Sequence, residues 1–243
     1  MKRIELSLHA AWSLDDWNAL ACGKARIHLD PESQRRVEAN RKALVDRIAR
    51  GEVMYGVNTG FGSLCTTIIP QNELEALQAN LIRSHAVGTG PQIDKPLVRL
   101  MLASKVRSLS QGYSAVEWRT VEALNALLDH DILPIIPSMG SLGASGDLAP
   151  LSHMTLVLMG EGQAQLGSQI MGGAEALAQK DLRPVVLGAK EGLALINGTQ
   201  FMLAHGLWLA IQSRRLAYLA DVVAGASLIG FDGCSAPFDA RIH

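Results

Sequence analysis

Apolar residues recur at helical spacing along most of the chain and alternate only in a few short stretches. Ile4, Leu6 and Leu8 alternate with polar neighbours and predict a short first strand. Ser13-Leu14-Asp15-Asp16 sets a capping hydroxyl ahead of two acids, which predicts a helix start. Asp30-Pro31-Glu32 predicts another, with a cap, a proline at the first helical position and an acid in the first turn. That helix can run to Gly51, with Val37, Leu44 and Ile48 along its apolar face. Beyond a glycine-rich stretch at 56–62, Leu74, Leu77 and Leu81 share one face, and Leu97, Leu100 and Met101 follow Pro96 in the next helix. Val116, Leu124, Leu127 and Leu128 mark a third, which Pro134 and Pro137 must end. Residues 143–147 read as a loop feeding a helix with Leu148, Leu151, Met154 and Leu158 turned inward. Residues 162–173 predict a β-hairpin turning at Gly167-Ser168. From 190 to 228 the pattern is one or two long apolar helices. His205, Gln212, Arg214, Arg215 and Asp221 interrupt the most apolar part, so it reads as a buried helix and not a membrane span. The class is mainly α with small β pieces.

Composition narrows the function classes. Of the 243 residues 48% are hydrophobic, and the net charge is −1, a globular balance with no basic excess to attract nucleic acid. Cys22, Cys65 and Cys234 lie far apart and form no metal or disulfide spacing, which fits a reducing compartment. The first residues carry no apolar signal core, so the expected location is the cytoplasm. An apolar helix close to the last residues, Pro237 to His243, needs neighbours to bury it, and this predicts a chain completed by further sequence or by a partner.

The segment richest in chemistry is Gly140-Ser141-Leu142-Gly143-Ala144-Ser145-Gly146-Asp147-Leu148-Ala149-Pro150-Leu151. Ala144-Ser145-Gly146 carries the atoms a backbone cyclisation needs. Gly146 nitrogen must approach the Ala144 carbonyl carbon, and a residue without Cβ bends that tightly. Ser145 supplies a β-hydroxyl that can leave as water and create an exocyclic methylidene. The product is an electrophilic methylidene-imidazolone. A phosphate-binding loop would need Lys-Ser or Lys-Thr after the glycines, and a nucleophile elbow would need Gly-x-Ser-x-Gly; neither is present. Taken alone, Ala-Ser-Gly reads as a turn whose Asp147 caps the following helix.

Three further stretches stand out. Tyr55-Gly56-Val57-Asn58-Thr59-Gly60-Phe61-Gly62 is a plain loop by composition. In Gly192 to Gln200, the Asn197-Gly198 pair breaks an apolar helical run, a local conflict more expected at a functional site than in packing. Asn80 to Gly90 contains Ser84-His85 at a helix end. His9, His28, His130 and His205 show no ligand spacing and His153 reads as structural, so no metal site is expected.

The fifteen-residue string Gly-Ser-Leu-Gly-Ala-Ser-Gly-Asp-Leu-Ala-Pro-Leu-Ser-His-Met (140–154) resembles the signature of the ammonia-lyases and aminomutases that act on aromatic amino acids. The resemblance extends over essentially the whole chain and covers about the first half of a full-length member. It implies a fumarase/aspartase-like helical fold, with a loop-bearing domain at 1–189 and the start of a long-helix bundle at 190–243. It implies that Ala144, Ser145 and Gly146 become a 4-methylidene-imidazol-5-one (MIO), with no metal and no nucleotide. The same resemblance implies that Tyr55 takes a part in acid–base steps, for which its phenol would need a lowered pKa, and that Asn197 helps place the substrate carboxylate. Ser84-His85 resembles the pair in the histidine-specific members, since a histidine can pair with a substrate imidazole. The implied reaction is release of ammonia from L-histidine to give trans-urocanate. Tyrosine or phenylalanine lyases and aminomutases of the same family, and an inactive non-enzymatic fragment, are the alternatives. The implied partners are an amino-acid substrate and further copies, as homotetramers, or a complementary C-terminal chain; neither nucleic acid nor membrane is implied.

Overall fold

The computed structural model describes residues 1–7 and 11–242, without the side chain of Leu64. Leu8, His9, Ala10 and His243 lie outside the described residues. At the start, β1 (Lys2–Glu5) pairs in parallel with β2 (Ala25–His28), and α1 (Leu14–Ala21) connects them. The capping box at the head of α1 is made, Ser13 Oγ accepting from Asp16 N–H and Asp16 accepting from Ser13 N–H. α2 (Pro31–Ala49) begins on Asp30, whose carboxylate accepts from the N–H groups of Glu32 and Ser33. It is closed by Gly51 at φ +78°.

Next come α3 (Leu74–His85), β3 (Thr89–Gln92), α4 (Lys95–Leu109) and α5 (Trp118–Asp129). The third predicted helix is shorter than its apolar pattern, because Val116 precedes it and Asp131, at φ +55°, turns the chain before either proline is reached. Pro134 and Pro137 instead close β4 (Ile132–Pro134) and open β5 (Pro137–Met139). At strand ends a missing N–H is tolerated. Then follow α6 (Leu148–Leu158), β6 (Gln163–Leu166) and β7 (Gln169–Gly172). The expected hairpin is β6–β7, turning with Gly167 at φ +63°, and β4 pairs onto its free edge. α7 (Gly173–Ala178), α8 (Glu191–Ile196) and α9 (Gln200–Gly230) complete the order.

The core is built around α4, where Leu97, Val98, every residue from Leu100 to Val106, and Leu109 are buried. A helix apolar on all sides has to be enclosed, and α1, α5 and α9 pack around it. A second group joins α3, α6 and α8. Buried Glu191, at the head of α8, accepts from Glu117 N–H, Thr120 Oγ1 and Gly188 N–H at 3.0, 2.6 and 2.8 Å. It ties α8 to the start of α5, where the first N–H groups of a helix have no partner within it.

The long C-terminal helix departs from its expected burial. Only Gln200, Ala204 and Ile211 of α9 are buried, while Met202, Leu209, Leu216 and Val223 are exposed in a row seven residues apart. Periodicity shows that a helix has apolar faces but not what covers them. By length and composition, residues 191–230 could cross a membrane.

Candidate active site

The loop between β5 and α6 is held by the elbow between α8 and α9. Gly146 sits at φ +106°, and a Cβ there would lie 2.8 Å from both N and O of Gly198 and 3.2 Å from Asn197 Oδ1. The missing side chain is thus the space that the Asn197-Gly198 elbow fills. The next residue completes the joint: Asp147 N–H donates to Gly198 O at 2.7 Å.

Asp147 is fully buried, and its carboxylate accepts from the Ser141 hydroxyl at 2.6 Å and from Met202 N–H at 3.0 Å. Met202 lies in the first turn of α9, whose own cap residue Thr199 makes no side-chain capping bond. The aspartate therefore caps α9, and not α6, for which its sequence position suited it. Below this joint lies Lys105, 1% exposed, with Nζ 3.5 Å from Gln200 Oε1. Burial pushes its pKa down to about 7, against the opposing pull of the Asp147 charge.

On its other side the loop borders a cavity of about 210 Å³. Gly140, Leu142, Ser145, Gly146, Leu148 and Ala149 form one wall, and Ser84, His85 and Val87 at the end of α3 form the other. A neighbouring cavity of about 320 Å³ shares Ser84 and His85 and is walled by Phe61, Ile69, Leu77 and Leu81 among others. His85 Nδ1 lies 2.9 Å from Leu81 O and 3.0 Å from Ser84 Oγ. Leu81 O only accepts, and the Ser84 hydroxyl has Leu81 O as its own acceptor at 2.9 Å, so the tautomer that suits all three contacts carries the proton on Nδ1. In the neutral ring Nε2 is then left as an acceptor.

The two walls touch through glycines, since a Cβ on Gly140 would lie 3.0 Å from Gly88 Cα. His153 on α6 secures the contact: its Nε2 accepts from Gly88 N–H at 3.1 Å. Burial holds the His153 pKa below its ordinary 6.5, which keeps Nε2 an acceptor at neutrality. The unfolded chain takes up this proton at higher pH than the folded chain does. The contribution is therefore complete above pH ~6.5 and is lost as pH falls through the lower folded value. His153→Phe is expected to be about 1 kcal/mol less stable than wild type at neutral pH, the worth of one hydrogen bond. That gap should narrow as pH falls below ~6.5, where the unfolded chain takes up the proton first. Denaturation midpoints across this range check it, and a gap independent of pH would refute the assignment.

Of the residues singled out from sequence, Ser84, His85, Ser145 and Gly146 line one cavity, and Asn197 adjoins it through Gly146. Ala144 is exposed and lines neither cavity. Tyr55 does not reach the loop either. Its hydroxyl accepts from Gly62 N–H at 3.5 Å and its ring meets Phe61 edge-on, within its own segment. Sequence reasoning missed the reach of Asp147 to α9 and passed over Lys105. A signal for the latter was available: it shares an i, i+4 row with Met101 and Leu109, a polar residue on an apolar face. The bend at Gly146, the space a Cβ would fill and the exposed Ser145 hydroxyl all fit an MIO ring at 144–146.

The chain is similar to histidine ammonia-lyase from Paracidovorax citrulli (strain AAC00-1), at 48% identity over 233 residues, which is 95% of this chain and 45% of that protein. The structure of histidine ammonia-lyase from Trypanosoma cruzi matches with a TM-score of 0.91 at 35% identity, covering 99% of this chain and 47% of that one. Phenylalanine aminomutase from Pantoea agglomerans matches with a TM-score of 0.90 at 33% identity, covering 100% and 46%. The chain spans about half the length of the curated relatives it matches. The family described as aromatic amino acid lyase matches residues 12–243. With the helical fold shared over its whole length and the Ala144-Ser145-Gly146 turn in place, the chain belongs to the aromatic amino acid lyase family.

Proposed function

We propose that this chain carries the electrophile-forming half of a histidine ammonia-lyase, a carbon–nitrogen lyase that converts L-histidine to trans-urocanate and ammonia. The observation that carries the reading is the Gly146 bend, braced by Gly198 and facing the cavity that His85 lines. Ala144, Ser145 and Gly146 would hold the ring as part of their own backbone, and it supplies an electrophile for the substrate amine. The chain's other residues bind and orient. His85, with Nε2 free to accept, takes an N–H of the substrate imidazole, a polar group an apolar slot would leave unpaired. Asn197, beside Gly146, orients the carboxylate. Removing the weakly acidic β-proton demands precise placement, and Tyr55 carries part of that proton traffic. Its phenol lies against its own segment, so that role requires it to swing toward the loop; Phe61 of the same segment lines the neighbouring cavity with His85.

The likeness to a phenylalanine aminomutase keeps a second reading in view, in which the same fold takes a tyrosine or phenylalanine side chain. Ser84-His85 favours histidine, because an imidazole pairs with another imidazole's N–H and gains nothing from a phenyl ring. The exposed heptad row on α9 supports assembly with further helices, from other copies in a homotetramer or from a complementary C-terminal chain. A division near residue 190 and a cytoplasmic location belong to the same proposal.

The test is the intact mass of the purified chain with a peptide map over 140–151. Loss of two water molecules within 144–146 is the expected result. An unmodified peptide from a folded chain would refute ring formation here.

A further inference from the structure

We infer that Lys105 is a positioning residue for closure of the 144–146 ring, acting through Gln200 and Asp147 to keep the Gly198 backbone pressed against Gly146. The inference rests on the reading above and concerns a residue which that reading leaves without a role.

Lys105 is costly where it stands. It is the largest among the fully buried side chains, on a helix otherwise enclosed in apolar packing, and its hydrogen bond to Gln200 Oε1 is long at 3.5 Å. An ammonium has three donors, and burying it with one weak acceptor destabilises a fold that Met or Leu would serve better. A residue that breaks the local rule in this way points to a function.

Its neighbours say which. Gln200 is the first residue of α9, and its side chain lies on Gly198, where an added Cβ would collide with it. Gly198 N and O are the atoms that stand 2.8 Å from the Cβ position of Gly146. Gly198 O also accepts from Asp147 N–H, and the Asp147 carboxylate holds the first turn of α9 through Met202 N–H. The Asp147 charge is in turn the one that favours the Lys105 ammonium. Lysine, glutamine, glycine backbone and aspartate therefore form one braced unit behind the turn.

Ring closure needs such a brace. Gly146 N bonds to the Ala144 carbonyl carbon, and that carbonyl oxygen leaves as water with the amide hydrogens of Gly146 and Ser145. The Ser145 hydroxyl leaves as a second water with the Ser145 Cα hydrogen. Two waters depart, no electrons are gained or lost, and no co-reactant is required. The demanding part is the approach of an amide nitrogen to a carbonyl two residues back, so a small retreat of the wall slows it steeply.

The test follows two-water loss over time by intact mass, in chains made by cell-free synthesis as wild type, Lys105→Met, Asp147→Asn and the double variant. Lys105→Met is expected to close at least ~10-fold more slowly, because a displacement near 1 Å can cost about 10²-fold. Its denaturation midpoint should be no lower than that of wild type, since an apolar side chain replaces a poorly partnered one. The double variant should be no slower than the slower single, as residues acting as one unit are not additive. Closure of Lys105→Met within about twofold of wild type, multiplicative effects, or a rate that merely tracks lost stability would each overturn the inference while leaving the proposed function standing. A wild type that never loses the waters overturns the function itself, and the inference with it.

Discussion

The Ser145→Ala chain is expected to keep the water that its β-hydroxyl would have formed, and so never to show the two-water loss proposed for the wild type, with its fold unchanged. Ser145 is exposed and its side chain borders the cavity, so truncating it removes no packing. Stability should stay within about 0.5 kcal/mol, the usual range for surface substitutions. The chemistry allows no such tolerance. Without a β-hydroxyl nothing can leave from Cβ, and the exocyclic methylidene cannot arise. Intact mass and a denaturation curve on the same sample separate the two effects. Wherever a complete active site is assembled, lyase turnover should disappear with the mass change. A Ser145→Ala chain that still sheds two waters would place their source elsewhere and remove the basis for the proposed ring.

Gly146→Ala should have the largest effect on structure. At φ +106° an L-residue with a Cβ is strained by about 1–3 kcal/mol. The new methyl also meets the backbone N and O of Gly198 at 2.8 Å, and backbone cannot rotate aside as a side chain would. Overpacking of this kind costs about a further 1–3 kcal/mol. Relief requires the elbow to withdraw, which lengthens the 2.7 Å Asp147–Gly198 bond and moves Asn197. The expected outcome is a lower denaturation midpoint together with loss of ring formation. A midpoint within about 0.5 kcal/mol of wild type would mean the elbow yields freely and braces nothing.

Where structure is local, the chain was readable. Ser13 and Asp30 mark their helix starts because caps are contacts within a turn, and Gly167 marks its hairpin for the same reason. The short β4 and β5 escaped notice, since three residues are too few for alternation to show and their prolines read as breakers. The site divides in the same way. Ala144-Ser145-Gly146 stands out in the sequence because the atoms of the proposed closure belong to consecutive residues. Asp147 misleads because its position suits one helix while its carboxylate serves another that begins at Gln200. Tyr55 lies in a stretch without periodicity, and nothing in the sequence says where its phenol points. The exposed row on α9 is the same case seen from outside: apolarity is written in the residues, the covering surface is not.

The brace behind Gly146 also sets an order of events in time. A ribosome releases residue 146 ahead of residue 198, and Met202, which Asp147 caps, later still. At the usual pace of synthesis that interval is on the order of seconds. Throughout it the tripeptide lacks the Gly198 backbone that lies against Gly146 in the folded chain. Any reaction that depends on the tightened bend must wait for the later segment to emerge and dock. On the proposed reading the nascent chain therefore carries its own safety catch: the turn is armed only after the part that braces it has been made.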